Sequence, residues 1–332
     1  MKAMVLGAGI GSRLDPLTRS LPKPAVPVVG KPVIGHILDH LKHYGITEIM
    51  INVQYLGDRL KASIGDGSAY GVKVSYSVED ELWGDAGGVK RCESFFRDSD
   101  DDTFMVVGGD DLSDMDFGAI IAEHKAKNAT ATIGAKRVED PSQFGIAVTD
   151  DSGFITRFQE KPKPGEAFSN LANTGVYLFK KSVFDAIPAS TFYGFGKDVL
   201  PALLAAGEPM LAVPTDAYWE DVGNLTIYRK AQRDCLDGNV KVVFPAGQRI
   251  AENCFVCEGA QVHGTISEYT VVGRNAIIEA GAIVKNSVLW DGAVVKAGTY
   301  LENCVVGNGV TVSSTHGIFN AQIVEANRPT AP

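Results

Sequence analysis

The chain has no surplus of positive charge, no long apolar run and no cysteine framework, and each absence removes a class of function. Its 31 Lys and Arg stand against 40 Asp and Glu, a formal net charge of −9. That balance argues against a broad nucleic-acid or anionic-membrane surface, though a single pocket can still be basic. No segment approaches the apolar length of a bilayer span. The opening Met-Lys-Ala-Met-Val-Leu-Gly-Ala-Gly passes from a strand pattern straight into a glycine turn, unlike a signal peptide, so a cytoplasmic location is expected. Cys92, Cys235, Cys254, Cys257 and Cys304 are too scattered to staple 332 residues and fit a reducing compartment. Cys254 and Cys257 have the spacing of half a zinc site. No second pair or His couple stands at matching distance, and packing is the preferred reading.

What is present divides in two. Up to about residue 237 apolar runs alternate with helical patterns. Ala3–Leu6, Glu48–Val53 and Thr103–Val107 read as strands buried on both faces. Val33–Tyr44, with Ile34, Ile37, Leu38 and Leu41 at helical spacing, reads as the helix between the first two. The expectation is a doubly wound, Rossmann-like α/β domain with a mixed, mostly parallel sheet over 1–237. From there short β-branched segments are broken by Gly, Asn and Glu. Val272, Ile278, Val284 and Trp290 stand six apart, Val295 and Leu301 continue after a slip of one, and Ala276, Ala282, Val288 and Val294 form a second column. A fixed step of six predicts a parallel β-helix of hexapeptide repeats over 238–325, followed by a frayed tail at 326–332.

Three stretches could carry chemistry. Gly7-Ala-Gly-Ile-Gly-Ser-Arg13 follows the first strand, with Pro22-Lys23-Pro24 beyond it. The third position of a dinucleotide fingerprint is Ser12 rather than Gly or Ala, and a Walker loop's Gly-Lys-Ser/Thr is absent. Glycines with Arg13 and Lys23 instead fit a long loop wrapping a triphosphate. A glycine turn with solvated basic residues would leave the same trace. In Gly108-Gly109-Asp110-Asp111, continuing to Asp114 and Asp116, a carboxylate follows a strand end, where ligands of open α/β sheets bind and a divalent cation between phosphates could be held. A helix cap accounts for some of these acids. The run Asp98–Asp102 reads as solvated. Glu160-Lys161-Pro162, Asn173-Thr174-Gly175 and Trp219-Glu-Asp221-Val-Gly223 are, taken singly, as consistent with surface turns as with a site.

Together, in this order, these motifs resemble the sugar-1-phosphate nucleotidylyltransferases over nearly all of residues 1–235. The appended β-helix, left-handed in that family, resembles the branch holding mannose-1-phosphate guanylyltransferases, glucose-1-phosphate adenylyltransferases and some uridylyltransferases. The resemblance implies a reaction in which a sugar 1-phosphate attacks the α-phosphate of a nucleoside triphosphate in line and pyrophosphate leaves. It implies nucleotide contacts from Leu6, Gly7, Ala8, Gly9, Gly11, Ser12, Arg13, Lys23, Glu81, Gly84 and Asp110. Arg13, Lys23 and Asp110 would be catalytic, and Asp110 and Asp221 would bind Mg²⁺. Gly145, Glu160, Lys161 and Asn173 would receive the sugar phosphate. A homo-oligomer, dimer or tetramer, built through the β-helix is also implied. GTP with mannose 1-phosphate is the preferred pair. The alternatives are UTP, ATP or dTTP with glucose 1-phosphate, or a related sugar or cyclitol phosphate.

The chain departs from that family at Trp83-Gly84-Asp85-Ala86-Gly87, where Asp85 puts a carboxylate in place of a hydroxyl. Base choice is therefore the least anchored inference. His36, His40 and His43 recur at i, i+4 and i+7 but read as polar surface of a helix. His263 or His316 could serve an acyltransferase β-helix, though nothing marks a coenzyme A site. A non-catalytic nucleotide-sugar-binding subunit is the remaining alternative, and the presence of Arg13, Lys23, Asp110 and Asp221 weighs against it.

Overall fold

The computed structural model describes residues 1–250 and 253–325, and the expected tail at 326–332 lies outside the described residues. The chain forms two units: residues 1–9 with 37–219, and residues 10–36 with the chain from Glu220 onward.

In chain order the first unit contains β1 (Lys2–Leu6), α1 (Val33–His43, begun in the second unit), β2 (Glu48–Val53), α2 (Gly57–Ile64), β3 (Lys73–Val78) and α3 (Gly84–Arg91). There follow β4 (Thr103–Gly108), α4 (Phe117–Ala126), β5 (Ala131–Arg137), β6 (Gly145–Thr149), β7 (Ile155–Glu160), β8 (Leu171–Lys180), α5 (Leu200–Ala205) and β9 (Met210–Pro214). The apolar runs are strands because helices cover both faces of the sheet, so Ala3, Met4, Val5, Ile49, Ile51, Met105 and Val106 are all fully buried. β1 lies between β2 and β4, parallel to both, and β3 continues parallel beside β2. β8 returns antiparallel against β4 and also pairs with β5 and β6, making the sheet mixed. On one face Phe104 stacks on Phe184 at 5.0 Å, and Phe179 on Phe195 at 4.8 Å.

β8 outruns its partner. Tyr177 sits opposite Val106, so residues 171–174 project past the carboxyl end of β4. On that overhang Leu171 and Ala172 pair with Ala147 and Ile146, and β7 pairs with β6. The sheet thereby carries the β6–β7 hairpin at the end where open α/β sheets bind ligands.

Helix α1 buries Ile34, Ile37, Leu38 and Leu41 as its spacing predicts. Its histidines correct the sequence reading. His36 is 5 % exposed, with Nε2 3.0 Å from the Val28 carbonyl oxygen, and burial lowers its pKa to about 4. His40 Nε2 lies 2.7 Å from the Met115 carbonyl, and His43 is exposed. Ring nitrogens held by backbone carbonyls serve packing. Asp101 is likewise not simply solvated: it accepts from the Thr103 N–H at 3.0 Å and pairs with Lys125.

In the second unit three parallel sheets stack coil upon coil through 255–323. Val272 sits opposite Leu289, Ile278 opposite Val295 and Val284 opposite Leu301. The inward column is therefore Val272, Ile278, Val284, Leu289, Val295, Leu301, with steps of six, six and five. The slip falls before Leu289 and not after Trp290. The second column shifts with it, through Ala276, Ala282, Ser287, Ala293 and Thr299, all at most 1 % exposed. Trp290 is buried too, but its indole N–H donates to Tyr228 Oη at 2.9 Å.

Tyr228 belongs to α6 (Leu225–Asp237), capped at its start by Asn224 and ended by Gly238 in the left-handed region. This helix holds residues 27–29: Tyr228 Oη and Gln232 Nε2 both donate to the Pro27 carbonyl, and Gln232 Oε1 accepts from the Val29 N–H at 2.7 Å. Lys31 Nζ donates to the Val243 carbonyl, and Gly30 lies so close to Cys257 that a Cβ would collide with its sulfur. Burial pushes the Cys257 thiol up to about 12, against any thiolate ligand. Among the described residues no metal-sized cluster includes Cys254 or Cys257.

Candidate functional site

In the first unit the glycine loop leaves the carboxyl end of β1. Leu6 accepts from the Gly109 N–H at 2.9 Å, which places the turns after β1 and β4 side by side. Gly7 must be glycine, since a Cβ would stand 2.9 Å from the Asn52 carbonyl and 3.0 Å from Leu60. Its N–H donates to Asn52 Oδ1 at 2.9 Å. Ala8 is buried. A Cβ on Gly9 would meet nothing within 4 Å, so there the missing side chain leaves open space for a ligand. Across β2 and β3 the loop is backed by Asn52 and Glu79, buried residues that the sequence reading did not select. Asn52 is a polar residue near the end of the largely apolar run Ile49–Val53, which was the available signal there; the strand before Glu79, Lys-Val-Ser-Tyr-Ser-Val, offered none.

Glu81 is exposed just before α3. Gly84 opens α3 at φ 75°, and a Cβ there would collide with the Tyr193 carbonyl oxygen. Asp85 Oδ1 accepts from the N–H groups of Ala86 and Phe195, both at 2.8 Å. Burial raises its pKa against those two bonds. The carboxylate that departs from the family pattern thus ties α3 to Phe195–Val199, a π-helical turn leading into α5.

After β4, Asp110 and Asp111 crowd one glycine. A Cβ on Gly108 would collide with Asp111 Oδ2 and stand 3.3 Å from Asp110 Oδ1. Asp116 is the helix cap, accepting from the Ala119 N–H at 3.0 Å, and Asp114 accepts from the Tyr218 N–H at 2.8 Å. The four acids so divide into two structural ones and an adjacent pair at the strand end.

Gly145, Glu160 and Asn173 gather on the overhang. Glu160 sits opposite Gly145 in the register, and a Cβ on Gly145 would lie 2.7 Å from Glu160 Oε2. On its other side Gly196 admits the same carboxylate, where a Cβ would collide. Glu160 is exposed overall, and partial desolvation raises its pKa, opposed by the charge of Lys161. Lys161 adopts φ 44°, with its N–H on the Phe144 carbonyl at 3.0 Å. Asn173 Nδ2 donates to Tyr177 Oη at 2.8 Å.

In the second unit the continuing loop brings its cations to one carboxylate. Gly11 takes φ 69°, and a Cβ there would stand 2.7 Å from Lys23 Cβ. Ser12 begins a short 3₁₀ turn that carries Arg13. Arg13 Nη2 lies 3.1 Å from Asp221 Oδ2, and Lys23 Nζ 2.5 Å from Asp221 Oδ1. The Lys23 side chain is 9 % exposed and that of Arg13 64 %. Gly223 lacks the Cβ that would meet Arg13 Nη2 at 2.9 Å. A buried ammonium and an exposed guanidinium thus share one carboxylate. Asp110 belongs to the first unit and Asp221 to the second.

In the first unit a glycine loop after the first strand and acids after the fourth stand side by side at the carboxyl end of a mixed α/β sheet. The chain belongs to the nucleotidyl transferase family, whose profile matches residues 2–238, and a GlmU-like C-terminal hexapeptide profile matches residues 240–324. It is a nucleotidyltransferase. It is 35 % identical to a UTP–glucose-1-phosphate uridylyltransferase of Synechocystis, over 86 % of this chain and 82 % of that one. It is 34 % identical to a Mycobacterium tuberculosis mannose-1-phosphate guanylyltransferase, over 84 % and 77 %. With a Bacillus licheniformis glucose-1-phosphate adenylyltransferase the identity is 33 %, over 85 % and 84 %. Three bases and two sugars occur among these relatives. Enzymes of this family generally use a divalent metal. Among the described residues no helix is long and apolar enough to cross a membrane.

Proposed function

We propose that the chain catalyses the Mg²⁺-dependent joining of a sugar 1-phosphate to a nucleoside triphosphate with release of pyrophosphate, GTP and mannose 1-phosphate being the preferred pair. The observation that carries the reading is the pair of cations, Lys23 at 2.5 Å and Arg13 at 3.1 Å, on Asp221 beside a left-handed Gly11. Phosphate oxygens compete for such donors, so an arriving triphosphate draws Arg13 and Lys23 away from the carboxylate. Lys23 then stabilises the α-phosphate where charge develops, and Arg13 the departing pyrophosphate. Main-chain N–H groups over residues 9–12 take the remaining oxygens, Gly7 being committed to Asn52. Glu81 and Gly84 are the residues proposed to meet the base. Glu160 and Asn173 receive sugar hydroxyls, Lys161 pairs with the sugar phosphate, and Gly145 gives the sugar room. The sugar phosphate is itself the nucleophile, so no covalent intermediate is required.

Mg²⁺ fits the donors proposed for it. Asp110 and Asp221 would offer it hard carboxylate oxygens, the ligand type that Mg²⁺ prefers. When bound, the ion neutralises charge on the phosphates. UTP with glucose 1-phosphate is a second reading, favoured by the uridylyltransferase relative at 35 % identity. The functional boundary is proposed at 237/238, with the β-helix serving homo-oligomerisation.

The test is pyrophosphate release with Mg²⁺ across GTP, UTP, ATP, CTP and dTTP, each against mannose, glucose, galactose, N-acetylglucosamine and fucose 1-phosphates. A dominant GTP–mannose 1-phosphate rate is expected. Dominance of another pair replaces the substrate assignment, and no release from folded protein overturns the reading.

A further inference from the structure

One buried acid has no part in the chemistry above. Glu79, 4 % exposed, follows β3 and faces Asn52, 3 % exposed, at the end of β2. Asn52 Nδ2 donates to Glu79 Oε1 at 2.8 Å, while Asn52 Oδ1 accepts from the Gly7 N–H at 2.9 Å. The Trp83 N–H also bonds the Glu79 carboxyl. From a third side α3 closes on the pair, where Gly88 lacks the Cβ that would stand 2.6 Å from Glu79 Oε1 and 3.0 Å from Asn52 Nδ2. A carboxylate is costly to bury, and a buried amide can be turned either way. As a carboxylate Glu79 only accepts, and with the Gly7 N–H donating to Oδ1 and Nδ2 donating to Glu79 the sense of the amide is fixed from both ends.

We infer that Glu79 is a positioning residue for the nucleoside triphosphate. Acting through Asn52 it fixes the first peptide of the glycine loop, and through Trp83 it fixes the start of the segment proposed to meet the base. One carboxylate thereby sets the phosphate-holding and base-holding segments of the first unit in register. The inference rests on the nucleotidyl-transfer reading, because only a ligand spanning both segments makes their register matter.

The test measures KM for each substrate, kcat and unfolding midpoint in Glu79→Gln, Asn52→Ala, the double variant and Gly88→Ala, with amide hydrogen exchange of the peptide containing Gly7. Glutamine retains one acceptor and turns a donor on the other partner, so Glu79→Gln raises the triphosphate KM about tenfold. The sugar-phosphate KM stays within about twofold, and the Gly7 peptide exchanges faster. Asn52→Ala gives the same rise and the double variant no more, as for links of one chain. Gly88→Ala, pressing on the pair from α3, reproduces the pattern if Glu79→Gln does not fold. Equal rises in both KM values, additive single effects or unchanged exchange at Gly7 overturn the inference. Absence of turnover in wild-type protein with exchange at Gly7 still dependent on Glu79 would instead overturn the reaction reading, and with it the role toward the triphosphate, while leaving the Glu79–Asn52–Gly7 link as a fixed point of the loop.

Discussion

At Asp85 one residue answers to the fold before it answers to a ligand. Its Oδ1 takes two main-chain N–H groups at 2.8 Å, one from its own helix and one from Phe195. Phe195 is fully buried against Tyr177 and Phe179, and the adjacent Gly196 abuts Glu160. Asp85→Ala leaves two donors without an acceptor and should cost about 1–3 kcal/mol in urea unfolding. Asp85→Thr, whose hydroxyl still accepts, should recover a measurable part. Equal losses in the two variants would mean that the carboxylate's bonds carry no stability. The sequence marked this position as a departure but not its purpose, since Phe195 lies 110 residues away. Arg13 and the Gly-Asp after β4 stood out because each sits close to glycines after a strand, and Lys23 because two prolines flank it. Asn52 and Glu79 were not, because their meaning depends on which strands become neighbours.

Elements were legible wherever burial follows a simple period. The strands of the first sheet announce themselves as apolar runs, and α1 by its Ile and Leu spacing. The β-helix announced its step of six but hid the five-residue step before Leu289, since Val288, Leu289 and Trp290 are all apolar. Only coil-on-coil pairing separates the inward residue from its neighbours. Helix α4 shows a further limit. His124, 1 % exposed, places Nδ1 2.8 Å from Thr132 Oγ1 of β5, and burial lowers its pKa to about 4. Its folded pKa lies below the ordinary 6.5, so between pH 6.5 and 4 the unfolded chain binds more protons and stability rises with pH. His36, also lowered to about 4, contributes with the same sign. The urea midpoint should fall as pH drops through this window, the two histidines together costing on the order of a few kcal/mol by pH 4. In His124→Asn the fall should be shallower. An identical slope would show that His124 is not neutral in the folded protein.

At the scale of the whole molecule the family boundary and the packing boundary do not coincide. The nucleotidyl transferase profile ends at residue 238, yet residues 10–36 pack as part of the second unit. Within that unit the segment just after the loop's cations is held by residues beyond 238. Lys31 Nζ bonds the Val243 carbonyl, Gly30 lies on Cys257, and Tyr228, which holds Pro27, is itself held by the buried Trp290. Lys23 is four residues before Pro27 in the same segment, so its placement against Asp221 is secured partly by the first coils of the β-helix. A chain ending at residue 238 would lose the Lys31 acceptor and expose the face of α6 that Trp290 covers. It should therefore lose most of kcat while retaining the far-ultraviolet signature of an α/β domain. Gly30→Ala in the full chain asks the same question without truncation, since φ 76° and the sulfur of Cys257 both oppose a side chain. It should lower kcat and leave the sugar-phosphate KM, which the proposed function assigns to residues of the first unit, nearly unchanged. If the shortened chain and Gly30→Ala both turned over at the wild-type rate, the segment carrying Lys23 would be held by α6 alone, and the β-helix would have no part in arranging the cations.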